Sequence, residues 1–279
     1  LTSDSPPVSL TAIELRSFGE EPIYAVHDRT FLDQLKSFAE HGGGQYDADT
    51  FVTETSYKAA VVVSDMLLSA IDTSFGGGPS MSIVIGRPPG HHAELSRSMG
   101  FCLINQAAIG AQYARDKHGA DRVAIIDFDL HHGNGTQQIF YERDDVLYVS
   151  THQYPYYPGT GAAGEIGEGA GEGFTRNFPL PAGTGHDAEC DLFEREIIPE
   201  LRRYDPDLLI VSAGFDGHQR DPLGMLTFTE HTYQTLGTRL ADCAREVCDG
   251  RLVSFVEGGY DPQANRESIV AYLKGIQQL

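Results

Sequence analysis

The 279-residue sequence predicts an α/β fold: a single domain of three α/β/α layers, with helices on both faces of a mostly parallel central sheet. Three observations predict it. Five short apolar runs, at 82–86, 122–129, 145–151, 207–214 and 251–259, are nearly continuous in Val, Ile and Leu, as strands buried on both faces are. Helix-like segments separate the runs, and no internal repeat or linker interrupts them, so one domain over 1–279 is expected. Each run also ends in polar residues, which an open parallel sheet gathers along one edge.

Taken in order, VHDRTFLDQL opens an early helical region, and Gly42 to Gly44 mark a loop. A helix is expected over Ser56 to Ile71, a second loop at Gly76 to Gly78, then the first strand, SIVIG. Asn105 to Lys117 reads as the helix leading into RVAIIDFD, and DVLYVST follows as the third strand. The stretch from Pro158 to Gly173 is a long glycine-rich connection. Its formal GxGxxG, at Gly159, Gly161 and Gly164, follows Tyr-Tyr-Pro and opens no helix, so it is not read as a dinucleotide site. Ala188 to Tyr204, Thr229 to Val247 and Pro262 to Ile276 are the remaining helices, alternating with DLLIVSAG and RLVSFVEGG.

Composition excludes several functions. With 41% hydrophobic residues, 22% charged residues and a net charge of -20, direct nucleic-acid binding by a broad basic face is not expected, whereas a cationic substrate suits the field. No apolar run reaches the length of a membrane span and no signal-peptide core opens the chain, so a soluble, cytoplasmic protein is expected. Lysine occurs only at 36, 58, 117 and 274, which with the acid excess points to a high-salt cytoplasm, and a prokaryotic source is expected. The four cysteines, at 102, 190, 243 and 248, form no CxxC pair and read as reduced thiols.

The polar clusters carry the chemistry. RPPGHH, DLHHGN, STHQY, FDGH and EGGY follow the five runs in turn. In an extended strand alternate side chains share a face, so Asp127, Asp129 and His131 point one way. Neighbours on that face are roughly 7 Å apart, close enough for Asp129 and His131 to converge on one ion. Asp127 and His131, about 13 Å apart on this geometry, cannot easily share it, so Asp127 is cast as the partner that orients a histidine. Asp216 is the third candidate ligand; the mixed oxygen and nitrogen set suits zinc and also admits ferrous iron or manganese. His91 and His92 follow a stiff Pro-Pro-Gly turn and can serve as general acid or base. Tyr260 follows two glycines, where a phenol could donate to a developing oxyanion.

With these residues in place, the sequence resembles the zinc-dependent histone deacetylases and acetylpolyamine amidohydrolases, which share an arginase-like α/β fold. The resemblance rests on RPPGHHAE, GFCLIN, DFDLHHGNGTQ, YPGTG, VSAGFDGHQRDPLG and EGGY, which occur in family order from Ile83 onward; HHGNG and DPLG look like the class II branch. It implies one catalytic zinc ion on Asp129, His131 and Asp216, and proton transfer by His91 and His92, with Asp127 and Asn134 as their respective partners. It implies that Tyr260 polarises the scissile carbonyl, and that a structural potassium ion is held by groups of Asp127, Asp129, His131, Ser150 and Thr151. Gly100, Phe101 and Tyr157 match the acyl channel, where the third is commonly Phe.

The activity implied is removal of acetyl groups from acetyl-lysine in proteins or peptides, releasing acetate. Polyamine-selective relatives tend to carry an acidic gatekeeper in the segment that reads DPLG here, and Leu223 lacks that charge. Small cationic acetylamines, acetylpolyamines among them, are the alternative substrates, and a non-catalytic acyl-lysine binding protein is the alternative function. An arginase-like ureohydrolase would need further bridging carboxylates, and position 134 is Asn. Members of the family usually begin with a strand and an HPE-type segment bearing a rim loop. This chain opens LTSDSPPVSL, so a domain lacking that strand and loop, with a more open rim, is expected. The oligomeric state has no signature in the sequence.

Overall fold

The computed structural model describes residues 8–279, so the first seven residues of the expected domain lie outside the described residues. Two helices, α1 (Glu21–Tyr24) and α2 (Arg29–Glu40), lead into a minimal antiparallel hairpin of β1 (Gly44–Gln45) and β2 (Phe51–Val52). Then come α3 (Ser56–Phe75), β3 (Met81–Val84), α4 (Gln106–His118), β4 (Val123–Asp127), α5 (Asn134–Phe140), β5 (Val146–Gln153) and β6 (Thr175–Leu180). The chain closes with α6 (His186–Leu192), α7 (Ile198–Tyr204), β7 (Leu208–Ala213), α8 (Glu230–Val247), β8 (Leu252–Val256) and α9 (Pro262–Gln277).

The six long-sheet strands lie in the order β3-β8-β7-β4-β5-β6, every pair parallel. Alternation along the strands sorts the core into two halves. Val123, Ile125, Ile210 and Val253 pack toward α3 and α4, while Ala124, Ile126, Val211 and Leu252 pack toward the layer of α8 and α9. Helix starts are fixed by side chains: Asp28, Asn105 and Asp261 each accept from the backbone N–H three residues on. Among the described residues no helix is long and apolar enough to cross a membrane.

The structure differs from the sequence expectation in four places. The sheet has a sixth strand, β6, whose sequence TRNFPL alternates and carries Pro179, which is tolerated because this strand is an edge. The first strand stops at Val84, before Gly86. The helix expected over 188–204 is three segments, with a π-helical turn at Phe193–Ile197 where Pro199 has no N–H to offer and crowds the carbonyl four residues back. Finally, β4 stops at Asp127, so Asp129 and His131 lie on a bend and not on an extended strand. The reason is local: Asp127 Oδ1 accepts from Asp129 N at 3.1 Å and Asp129 Oδ1 from His131 N at 2.9 Å, two successive turns closed by carboxylates.

Candidate active site

The bend after β4 brings together what an extended strand would spread out. His131 Nδ1 stands 3.2 Å from Asp129 Oδ1 and 3.0 Å from Asp216 Oδ2, with Asp216 reaching across from the end of β7. One ligand atom from each of Asp129, His131 and Asp216 lies within 4.8 Å of the others. The remaining oxygens are fixed by the backbone: Asp129 Oδ2 accepts from Gly258 N at 2.7 Å, and Asp216 Oδ1 from Leu130 N at 2.9 Å. Such closeness needs glycine nearby. A Cβ on Gly214 would sit 2.4 Å from Asp129 Cα, and one on Gly258 would sit 2.4 Å from Asp216 Oδ2.

Two carboxylates with no solvent exposure demand positive charge. Burial works against an imidazolium at His131, but bonds to Asp129 and Asp216 outweigh it and raise its pKa to about 10. Burial also disfavours the Asp129 charge, yet His91 and His131 hold its pKa well below the carboxylate range. Asp216, buried beside Asp129, is pushed up to about 7. Two oxygen donors and one nitrogen donor converging where a cation is attracted fit a zinc ion in number and type. A second group, His91, Cys102 and Glu257, also has donor atoms within 4.8 Å of one another. It is a poor ligand set: Glu257 Oε2 caps Gly90 N at 2.6 Å and Oε1 accepts from Ser212 Oγ, while burial raises the Cys102 thiol and lifts Glu257 to about 7.

Beside the first cluster the rings of His91 and His92 lie 4.0 Å apart, both almost fully buried, with different partners. His91 Nδ1 donates to Asp127 Oδ2 at 3.0 Å, an oxygen that also accepts from Tyr148 Oη at 3.1 Å. His92 Nδ1 faces Asn134 Oδ1 at 2.8 Å. Burial disfavours the charge on both rings. Asp127, Asp129 and Glu257 overcome it at His91, whose pKa rises well above normal, whereas the charges of His91 and His131 reinforce it at His92, whose pKa falls well below. The same residue type therefore meets two environments, one that favours the charged ring and one that favours the neutral ring.

Tyr260 is held through its backbone, which donates to Asp221 Oδ2 at 2.7 Å; burial, then Asp216 and Asp129, push its phenol pKa up, so it is a hydrogen donor at neutral pH. Its ring meets Phe101 edge-on at 6.1 Å. Phe101 has φ of 65°, a strained value for an aromatic residue, and is held there by Thr50 Oγ1, while Asp49 Oδ1 accepts from Gly100 N. Gly100 packs on His92, where a Cβ would come within 2.3 Å of the ring. Tyr157 meets His92 edge-on at 5.2 Å, and Tyr156 stacks on His131 and donates to the Leu223 carbonyl. Gly100 and Tyr157 thus pack on His92, Phe101 packs on Tyr260, and Leu223 is joined to the site through Tyr156.

Ser150 is the strand partner of Asp127. Its hydroxyl meets His152 Nδ1 at 2.9 Å, while that of Thr151 donates to Glu189 Oε1 at 2.8 Å. Sequence reasoning gave no role to Glu94, Tyr148, Asp221 or Glu257, all of which bond to residues of the site. Three of these lie inside the quoted motifs, which was the available signal; Tyr148 is hidden in an apolar run.

Two carboxylates and an imidazole thus converge past the ends of the parallel strands, with two histidines and a phenol beside them, a candidate metal site flanked by groups able to move protons. The Histone deacetylase domain family matches residues 3–276, and the chain belongs to that family. It is 38% identical to "Histone deacetylase 10, chloroplastic" of Oryza sativa subsp. japonica, over 89% of this chain and 59% of that protein. It is also 38% identical to the "Histone deacetylase-like amidohydrolase" of Pseudomonas aeruginosa, over 90% of this chain and 67% of that one. The crystal structure of the HDA15 HD domain superposes with a TM-score of 0.89 at 34% identity, covering 95% of this chain and 74% of that one. The chain therefore spans about three fifths of the rice relative's length.

Proposed function

We propose that this chain is a metal-dependent deacetylase, a single catalytic domain that hydrolyses the acetyl amide of acetyl-lysine in peptides or proteins and releases acetate. The observation that carries the reading is the convergence of Asp129, His131 and Asp216 within 4.8 Å, next to two histidines of opposite charge preference. Asp129, His131 and Asp216 would hold one zinc ion, which supplies Lewis-acid polarisation of the acetyl carbonyl and a lowered pKa for water.

The chain's own residues account for the proton movements. His92, neutral and protonated on Nδ1 toward Asn134, offers its Nε2 lone pair to the attacking water. Its depressed pKa then favours passing that proton to the leaving amine nitrogen. His91 keeps its proton on Nδ1 against Asp127 and acts as a fixed positive charge beside the reacting carbonyl. Tyr260 donates its phenol hydrogen to the oxygen that becomes negative. Gly100, Phe101 and Tyr157 form the channel that excludes water from the acyl group. A structural potassium ion on groups of Asp127, Asp129, His131, Ser150 and Thr151 would hold the ends of β4 and β5 together.

Leu223 supports acetyl-lysine over acetylpolyamine, because an uncharged residue there offers nothing to a second ammonium group. The net charge of -20 attracts cationic substrates of either kind and does not choose between them. The test is acetate release by zinc-loaded protein from an acetyl-lysine peptide and from an N-acetyl diamine in parallel. Faster release from the peptide is expected; faster release from the diamine would reverse the substrate assignment, and release from neither would remove the enzyme reading.

A further inference from the structure

Glu94 takes no part in the reaction as derived, yet it ends a chain of bonds that reaches His92. Its Oε1 accepts from Asn134 Nδ2 at 2.8 Å, and Asn134 Oδ1 faces His92 Nδ1 at 2.8 Å. The Asn134 amide nitrogen meets acceptors only: the Glu94 carboxylate, the His92 carbonyl at 3.5 Å and the Met99 sulfur at 3.4 Å. Turning the amide over would set Oδ1 against all three, so its orientation is dictated by its surroundings. The strongest of these acceptors is the charged one. With Oδ1 toward His92, that ring has to carry its proton on Nδ1, which leaves Nε2 with a lone pair.

The support behind Glu94 is itself rigid. Its backbone N–H donates to the Arg97 carbonyl at 2.9 Å, and its carbonyl is 3.0 Å from His27 Nδ1. His91 needs no such relay, because a carboxylate, which can only accept, faces its Nδ1 directly. An amide can face either way, and something must choose.

We propose that Glu94 is a positioning residue that fixes the His92 tautomer through Asn134, and that it makes Asn the required residue at position 134. This rests on the reading of His92 as the proton-transfer base. A carboxylate at 134 would point an oxygen at the Glu94 carboxylate with no hydrogen between them. Exchanging both partners restores a donor and an acceptor in the right order.

The test uses zinc-loaded protein and four variants: Glu94→Ala, Glu94→Gln, Asn134→Asp and the double Glu94→Gln/Asn134→Asp. The tautomer is read from 15N shifts of the His92 ring, and kcat and KM from acetate release. Glu94→Ala is expected to populate the Nε2–H tautomer and to lower kcat about tenfold or more with KM within about twofold, the range typical of lost orienting partners. Glu94→Gln, whose carbonyl still accepts from Asn134, keeps the wild-type tautomer and most of kcat. Asn134→Asp loses turnover, and the double variant regains it.

An unchanged tautomer and kcat in Glu94→Ala would overturn the proposal, as would a double variant no better than Asn134→Asp alone. If wild-type protein releases no acetate the deacetylase reading fails. The ring shifts still decide whether Glu94 sets the tautomer.

Discussion

At the floor of the site every carboxylate oxygen of Asp127, Asp129 and Asp216 has a donor within 3.2 Å, five of those donors being backbone N–H or phenol groups. At the rim, Phe101, Tyr157 and Leu223 are 37–40% exposed and belong to loops. Position at the floor is set by several bonds at once, so a change there has no slack to absorb it. At the rim each side chain answers to a few loop contacts. Substitutions at the floor should therefore remove chemistry, and those at the rim should change which substrate is accepted.

The largest expected effect is at the floor. Gly258→Ala places a methyl group 2.4 Å from Asp216 Oδ2 and 2.6 Å from Asp129 Oδ2, so both ligands must move. Zinc binding and acetate release should both be lost, by at least about a hundredfold; metal analysis together with turnover checks this, and retained zinc would mean that the carboxylates can shift without cost. Next is Tyr260→Phe, which removes a hydrogen donor and no ligand. It should keep zinc while kcat falls roughly 100- to 1000-fold, and full activity would take Tyr260 out of the mechanism.

Behind the floor, His27 gives a pH prediction. Its Nε2 accepts from Asn105 N at 2.8 Å, and burial, despite the Leu95 and Glu94 carbonyls at Nδ1, lowers its pKa to about 4. The unfolded chain, with a histidine pKa near 6.5, binds the proton more readily than the fold does. The contribution of neutral His27 is therefore complete above pH ~6.5 and is lost as pH falls through about 4, amounting to about 3 kcal/mol. Denaturant unfolding against pH should show that loss, and His27→Gln should flatten it; an equally steep acid limb in the variant would assign the effect elsewhere. The smallest effect is at the rim: Tyr157→Phe should alter kcat/KM by less than about tenfold and mainly between acyl chains. A drop comparable to that of Tyr260→Phe would place Tyr157 with the floor.

The floor was also the more legible region in the sequence. Asp127, Asp129, His131, Asp216 and Tyr260 stand at or just past the ends of apolar runs, and sheet topology alone collects such ends on one edge. What sequence could not show is the bend after Asp127, because an apolar run gives no sign that two aspartates will each fold back onto the chain two residues on. The edge strand β6 was missed because TRNFPL alternates and follows a glycine-rich stretch. Much of the support was missed for a different reason. Glu94 meets Asn134 40 residues away, and Asp49 meets Gly100 51 residues away, contacts that no local pattern encodes.

One metal ion on Asp129, His131 and Asp216 is proposed to make this chain a deacetylase. Zinc titrated into metal-stripped protein, with acetate release from an acetyl-lysine peptide followed at each step, tests it most directly when Asp216→Ala is run beside the wild type. Activity should rise from nothing to a plateau at one zinc per chain in the wild type and stay near zero in the variant. Turnover without zinc, or equal turnover in Asp216→Ala, would contradict the account.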